Sequence, residues 1–417
     1  MATILTFPKR PERQDTHAAL DAGPARVGQP LTRKGQSSAP WAPLVESMAR
    51  HRRDELEVGW LKENAELLGI LNSTGHSRCD GGEAALAHLR PFVETAPRRL
   101  QFFPQYYRFI LSICLDYEDL TGGATDTGSQ LAHWIATRGL VCGELSDLQR
   151  AEAQHLLARR AVLLPDPGGQ HAGLRSRLRR FASDTAGFAI PDRRRAYELT
   201  HVVFYLTDYG RRSAALPDTA TLSLIHVGLW AYLDCDWDLV AEVCIALRYL
   251  GQPPPPLWEA ALQRSLGAYR LLATPVVGAD DYHAFFVGHW WRAVAAQGQA
   301  GQRAFADLTG WCGGALTVRA SQATGLLAPL SLWLLQGGSA RVDDALAHIT
   351  TTMGQTAAAH LADTKNSSDH FASFWHHFCR QGEATAKAHV ITARGQNHLH
   401  DERPRRSMQK GHPKGSP

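Results

Sequence analysis

Strand signals are scarce in this 417-residue chain, and so are the short motifs that usually announce a chemistry. β-branched alternation bounded by hairpin turns is hard to find, which turns the reading toward helix. No stretch approaches the roughly 18 uninterrupted apolar residues of a spanning helix, so no membrane segment is expected. The opening MATILTFPKRPERQDTH lacks an apolar core followed by a small-residue cleavage site, which argues against a secretory signal. The seven cysteines (Cys79, Cys114, Cys142, Cys235, Cys244, Cys312 and Cys379) are odd in number, widely spaced and free of any CxxC. Neither a disulfide framework nor a thiolate zinc site is therefore expected, and buried thiols in a reducing cytoplasm are the simpler reading. Phosphate loops of the GxGxxG and GxxxxGK(S/T) kinds are absent, as is the GxSxG hydrolase elbow. Basic excess is missing from the body of the chain. Residues 394–417 hold six Lys or Arg against Asp401 and Glu402, which accounts for the whole net charge of +4. A nucleic-acid footprint is not expected on so neutral a body.

What is present is a large apolar fraction, 44%, with 11 Trp, enough for a sizeable packed core. Residues 1–40, rich in Pro, Gly, Ser and charge, read as a disordered leader, and 385–417 as a disordered basic tail. Between them, 41–384 reads as one large helical domain, with a candidate subdivision at the Pro165-Asp166-Pro167-Gly168-Gly169 break. Apolar residues at three-to-four spacing predict helices over 42–71, 81–95, 104–119, 127–139, 171–184 and 192–209. Others follow over 219–232, 236–250, 255–272, 280–297, 301–313, 322–336, 339–361 and 367–382. Short connections favour antiparallel neighbours. The expected class is all-α, a multi-helix hairpin array with an α/α toroid or an irregular α-solenoid as candidate forms. No regular repeat period is visible.

The segment 192–209 carries the most chemistry. Asp192 after Pro191 suits a helix start and Gly210 a left-handed stop. Glu198, His201, Tyr205 and Asp208 fall at i, i+3, i+7 and i+10, along one stripe of a continuous helix. Val202, Val203, Phe204 and Leu206 crowd that stripe, so His201 is expected to be at least partly buried, near a carboxylate and a phenol. Such an imidazole can move a proton near neutrality. A bland arrangement, His201 satisfied by Glu198 one turn away, fits the same spacing.

The run Glu-Leu-Thr-His-Val-Val-Phe-Tyr-Leu-Thr-Asp-Tyr-Gly over 198–210 resembles a motif of an all-helical bacterial domain family of uncharacterised function, largely actinobacterial. Asp281-Tyr282-His283, followed by Val287-Gly288, looks like a second stretch of it, and the resemblance covers 190–335. It implies no reaction. It does imply that the Thr-His and Thr-Asp pairs, with His201 and Asp208, are site residues.

Other constellations compete. Glu152-x-x-His155 and Glu198-x-x-His201 together have the pattern of half a di-iron carboxylate site, but the intervening 171–184 segment supplies no Glu. His370, His376 and His377 lack the i, i+4 spacing of a zinc helix. Trp290, Trp291 and Trp311 could line a cavity, although tryptophans at helical spacing usually belong to a core. Region 159–195 holds nine Arg (159, 160, 175, 177, 179, 180, 193, 194, 195) and no Lys, a composition suited to bidentate capture of anions.

Two readings follow. In the first, a pocket handles a small molecule by metal-free acid/base chemistry without a cofactor. His201 moves the proton, Asp208 or Glu198 orients it, Tyr205 stands beside it, and Asp281, Tyr282, His283 and Arg194 bind the ligand. In the second, a non-catalytic helical module docks an acidic protein partner through the Arg-rich zone and the basic tail.

Overall fold

The computed structural model describes residues 39–76, 82–164, 173–274, 280–296, 303–306, 308, 314–320 and 323–380. The expected leader (all but its last two residues), the basic tail, the break at Pro165–Gly169, and most of the expected helix at 301–313 lie outside them. The described residues all belong to one compact unit, Ser38–Pro417.

The chain is all-α. Helices α1 (Ala42–Arg50), α2 (Val58–Ser73), α3 (Gly82–Leu86), α4 (Arg90–Phe102), α5 (Tyr107–Thr121) and α6 (Thr127–Thr137) come first. Next are α7 (Asp147–Ala158), α8 (Leu174–Ala182), α9 (Thr185–Phe188), α10 (Arg193–Leu206), α11 (Asp218–Leu233) and α12 (Trp237–Tyr249). The last are α13 (Pro256–Leu266), α14 (Tyr282–Ala295), α15 (Leu327–Leu335), α16 (Val342–Met353), α17 (Gln355–Asn366) and α18 (Phe371–Phe378). Among the described residues the strands amount to β1 (Arg270–Leu272) and β2 (Thr317–Arg319), antiparallel with Leu271 opposite Val318.

Local chemistry sets the starts. Ser146, Asp184, Asp192 and Asp236 each accept a hydrogen bond from the backbone N–H three residues on, satisfying a donor the first turn leaves open. Several stops differ from the periodicity. The expected helix at 42–71 is two helices, because the chain turns at His51–Asp54 to carry Arg52 inward. The one expected at 339–361 divides at Gly354, whose φ of 91° no helix residue adopts. Helix α10 ends three residues short of expectation: Asp208 (φ 51°) and Tyr209 (φ 53°) turn left-handed ahead of Gly210 (φ 81°). Gly210 is needed there, since a Cβ would sit 2.5 Å from the Tyr249 ring.

Helix α11 is buried from Ser223 to Leu233 on every face, as a helix with apolar residues all round must be. Around a different space, six helices pack in a closed cycle: α2 on α5, α5 on α7, α7 on α10, α10 on α12, α12 on α14, and α14 back on α2. No helix among the described residues is long and apolar enough to cross a membrane.

Candidate functional site

The six helices surround a partly open cavity of about 180 Å³. Its sides are apolar: Ile70 from α2, Phe109 from α5, Leu156 from α7, Phe204 from α10, and Val287 and Trp290 from α14. Tyr205 and Tyr209 add two phenol rings. Polar groups gather toward the two ends. Glu66, His201, Glu242 and His283 form one group, and Asn72, Asp116, Arg159 and Arg211 the other, with Glu152 and His155 also lining the wall. Glu66 and Asn72 lie six residues apart on α2, so the two groups are about 9 Å apart along that helix.

His283 starts the first group. Its Nδ1 lies 2.9 Å from both carboxylate oxygens of Asp238, and its Nε2 lies 3.7 Å from Glu66. Burial alone would favour the neutral ring, but the charges of Asp238 and Glu66 outweigh it and push the imidazolium up to about 10. Asp238 is the matching partner. Burial opposes its ionisation, yet the His283 charge and hydrogen bonds donated by His283 and by the Tyr197 hydroxyl (2.7 Å) hold it below the usual carboxylate range.

Glu242 lies one turn beyond Asp238 on α12 and is 2% exposed. Burial, reinforced by the Asp238 charge, pushes its carboxyl up to about 8, so it is largely protonated at neutral pH. Thr200 donates to its Oε2 at 2.5 Å.

His201 faces the same space. Its Nδ1 is 2.8 Å from the Tyr197 carbonyl oxygen, an atom that can only accept. Nδ1 therefore carries the proton and Nε2 the lone pair. Nε2 has no hydrogen-bond partner among the described residues, and the side chain keeps 34% of its surface accessible. Burial is the main cause holding the His201 pKa below its ordinary value, against the bond to Tyr197; the His283 charge adds to the lowering. One imidazole is thus held neutral and one held charged in a single cavity.

Of the expected site residues, His201, Tyr205 and His283 line this cavity together. Asp208 does not, because the left-handed turn takes it off the helical stripe; its Oδ1 lies 3.5 Å from His155 and 3.6 Å from Arg211. Glu198 does not orient His201 either: it pairs with Arg194 at 3.3 Å on the outer face of α10, which also removes Arg194 from the site. Tyr282 serves the site indirectly, donating to Glu66 at 2.9 Å. Asp281 holds structure, accepting from the Ala320 N–H at 2.8 Å at the start of α14.

Four residues at or beside the cavity were missed as site residues: Glu66, Asp238, Glu242 and His155. Asp238 and Glu242 had a readable signal, an i, i+4 carboxylate pair in an otherwise apolar helix. Trp290 does line the cavity, Trp291 instead donates to Glu259 at 3.1 Å, and Trp311 lies outside the described residues. Glu152, His155 and His201 converge, but Glu198 faces away. Among the described residues no three His, Cys, Asp or Glu side chains are disposed to hold one metal ion. In the Arg-rich zone, Arg159, Arg160, Arg177, Arg193, Arg194 and Arg195 are each paired with a carboxylate of the chain itself.

Fold and site together define an all-α protein whose helices surround a cavity lined by aromatic rings, imidazoles and carboxylates. The chain belongs to a family described as a domain of unknown function, DUF6902, whose model matches residues 28–381. No curated protein and no solved structure matches it.

Proposed function

We propose that the protein is an enzyme acting by proton transfer on a small organic molecule held in the six-helix cavity. His201 Nε2 is the base. The His283 imidazolium, fixed by Asp238, stabilises the negative charge that develops when the proton leaves. The supporting observation is the opposed state of the two rings, one tied through Nδ1 to the Tyr197 carbonyl and the other charged beside Asp238. Titratable groups whose surroundings push them apart are what acid/base chemistry requires. Glu242, uncharged and bonded to Thr200, sits beside both without competing as a base. The alternative of an acidic protein docking on the Arg-rich zone has less behind it, because most of that zone is already paired within the chain.

Native mass spectrometry of the purified full chain, with small-molecule analysis of what is released, tests this reading. A bound compound is expected with the wild type. His201→Gln keeps the shape and removes the base; it should fold with an unchanged melting temperature and slow turnover of that compound by about 10²–10⁴-fold. Wild-type turnover in that variant would overturn the assignment.

A further inference from the structure

The ionised groups lining the cavity are already matched. Asp116 meets Arg159 at 2.7 Å, His283 meets Asp238 at 2.9 Å, and Glu152 is held by Arg108. Glu66 has Lys62 at 3.6 Å, and Arg211 has Asp208 at 3.6 Å. A charged ligand would have to compete with these pairs for a counter-ion, and any group it drew away would leave its present partner unmatched.

The unmatched groups are neutral. His155 is 6% exposed at its side chain, lines the cavity, and makes no hydrogen bond through either ring nitrogen with any described residue. Its closest polar neighbour is Asp208, 3.5 Å from Nδ1. A neutral imidazole carries a proton on one ring nitrogen and a lone pair on the other, so one of the two can accept. Burial, together with the charges of Arg159, Arg212 and Arg211, pushes the ring down to about 3, so it does not charge at physiological pH. The Tyr205 ring packs near both imidazoles, its centroid 5.9 Å from that of His155 and 5.9 Å from that of His201. Both rings line the same aromatic-walled space, and a buried imidazole normally has its nitrogens bonded.

We propose that the cavity takes an uncharged, ring-sized organic molecule with hydrogen-bond donors at two ends, one for His201 and the other for His155. The size follows from the volume of about 180 Å³, a little above the ~150 Å³ of a dry engineered cavity that accepts benzene. The inference rests on the reading of His201 given above and adds His155 as a binding residue.

The test uses the full chain and five probes of one shape, measured by calorimetry at pH 7. They are p-xylene, p-cresol and hydroquinone (under argon), with zero, one and two donors, and the charged 4-hydroxybenzoate and tyramine. Each neutral donor is expected to tighten binding by about two- to tenfold, and both charged probes should bind at least about tenfold more weakly than p-cresol. In ¹⁵N spectra hydroquinone should shift a ring nitrogen of His155 as well as His201 Nε2. His155→Leu should erase the advantage of hydroquinone over p-cresol while leaving p-cresol binding in place. If that variant does not fold, the wild-type ¹⁵N shift decides alone. A charged probe binding as tightly as hydroquinone, or a His155 signal unmoved at saturation, would overturn the proposal. Neutral probes that shift His201 but not His155 would overturn this proposal and leave the reading of His201 standing. No probe binding at all would sink the pocket reading too.

Discussion

His283 and Asp238 show how position decides the protonation of a residue type that is ambiguous by itself. An imidazole ordinarily titrates near pH 6.5; here burial pulls it down and Asp238 with Glu66 pushes it further up, to about 10. The raised pKa makes the His283 contribution to stability complete below about pH 6.5, as long as Asp238 stays ionised, and it declines as pH climbs through about 10. Imidazole ¹⁵N shifts of His283 should therefore report a charged ring at pH 8, while His201 is neutral. Asp238→Asn should lower the His283 pKa by about 1–3 units and flatten the alkaline limb of the stability curve. A His283 ring already neutral at pH 8 in the wild type would contradict this account. The spacing showed a histidine just inside a helix start. Its partner is 45 residues earlier, and that pairing has no local signature.

At the scale of elements, the wall of the cavity depends on how closely neighbouring helices approach. Helices α5 and α6 are brought together at Gly128, where a Cβ would lie 2.9 Å from the Leu115 nitrogen and 3.0 Å from the Cys114 carbonyl carbon. Those are backbone atoms and cannot swing aside. Gly128→Ala should accordingly cost about 1–3 kcal/mol by forcing the helices apart, read as a lower denaturation midpoint with the slope unchanged. A neutral effect would mean that α6 shifts freely, which its packing on both α5 and α4 argues against. The end of α10 is the element with the largest consequence for the site. Placing Asp208 at i+7 from His201 assumed an unbroken helix. The chain instead turns left-handed at Asp208 and Tyr209, with Tyr209 N–H donating to the Phe204 carbonyl at 2.8 Å, and this sends the carboxylate toward His155.

Across the whole molecule, the loop between the first two helices is tied to residues more than 200 positions later. Arg52, 0% exposed at its side chain, bonds Glu63 at 2.9 and 3.1 Å and Asp280 at 2.9 and 3.0 Å, and donates to the Leu316 carbonyl. This knot joins α2, the entry to α14 and β2, and so fixes the place where the six-helix cycle closes. Arg52→Met leaves buried Asp280 without a cation and Glu63 with Arg53 alone. It should destabilise the protein by about 3–5 kcal/mol, measured by chemical denaturation. Retained wild-type stability would show that the knot is not what closes the cycle.

Local regularity was enough to determine the class and most of the elements. Three-to-four spacing, caps such as Asp192 and stops such as Gly210 act within a few residues of one another and are written consecutively in the chain. The same spacing placed His201 on an inward-facing stripe, and Tyr205 with it. Which helices adjoin, and which charges they bring face to face, was decided by the tertiary structure alone. The cavity draws Glu66, His155, Glu242 and His283 from four helices, and only packing of the whole chain sets their distances. Protonation followed from those distances: desolvation and a facing carboxylate gave one imidazole a charge and withheld it from the others.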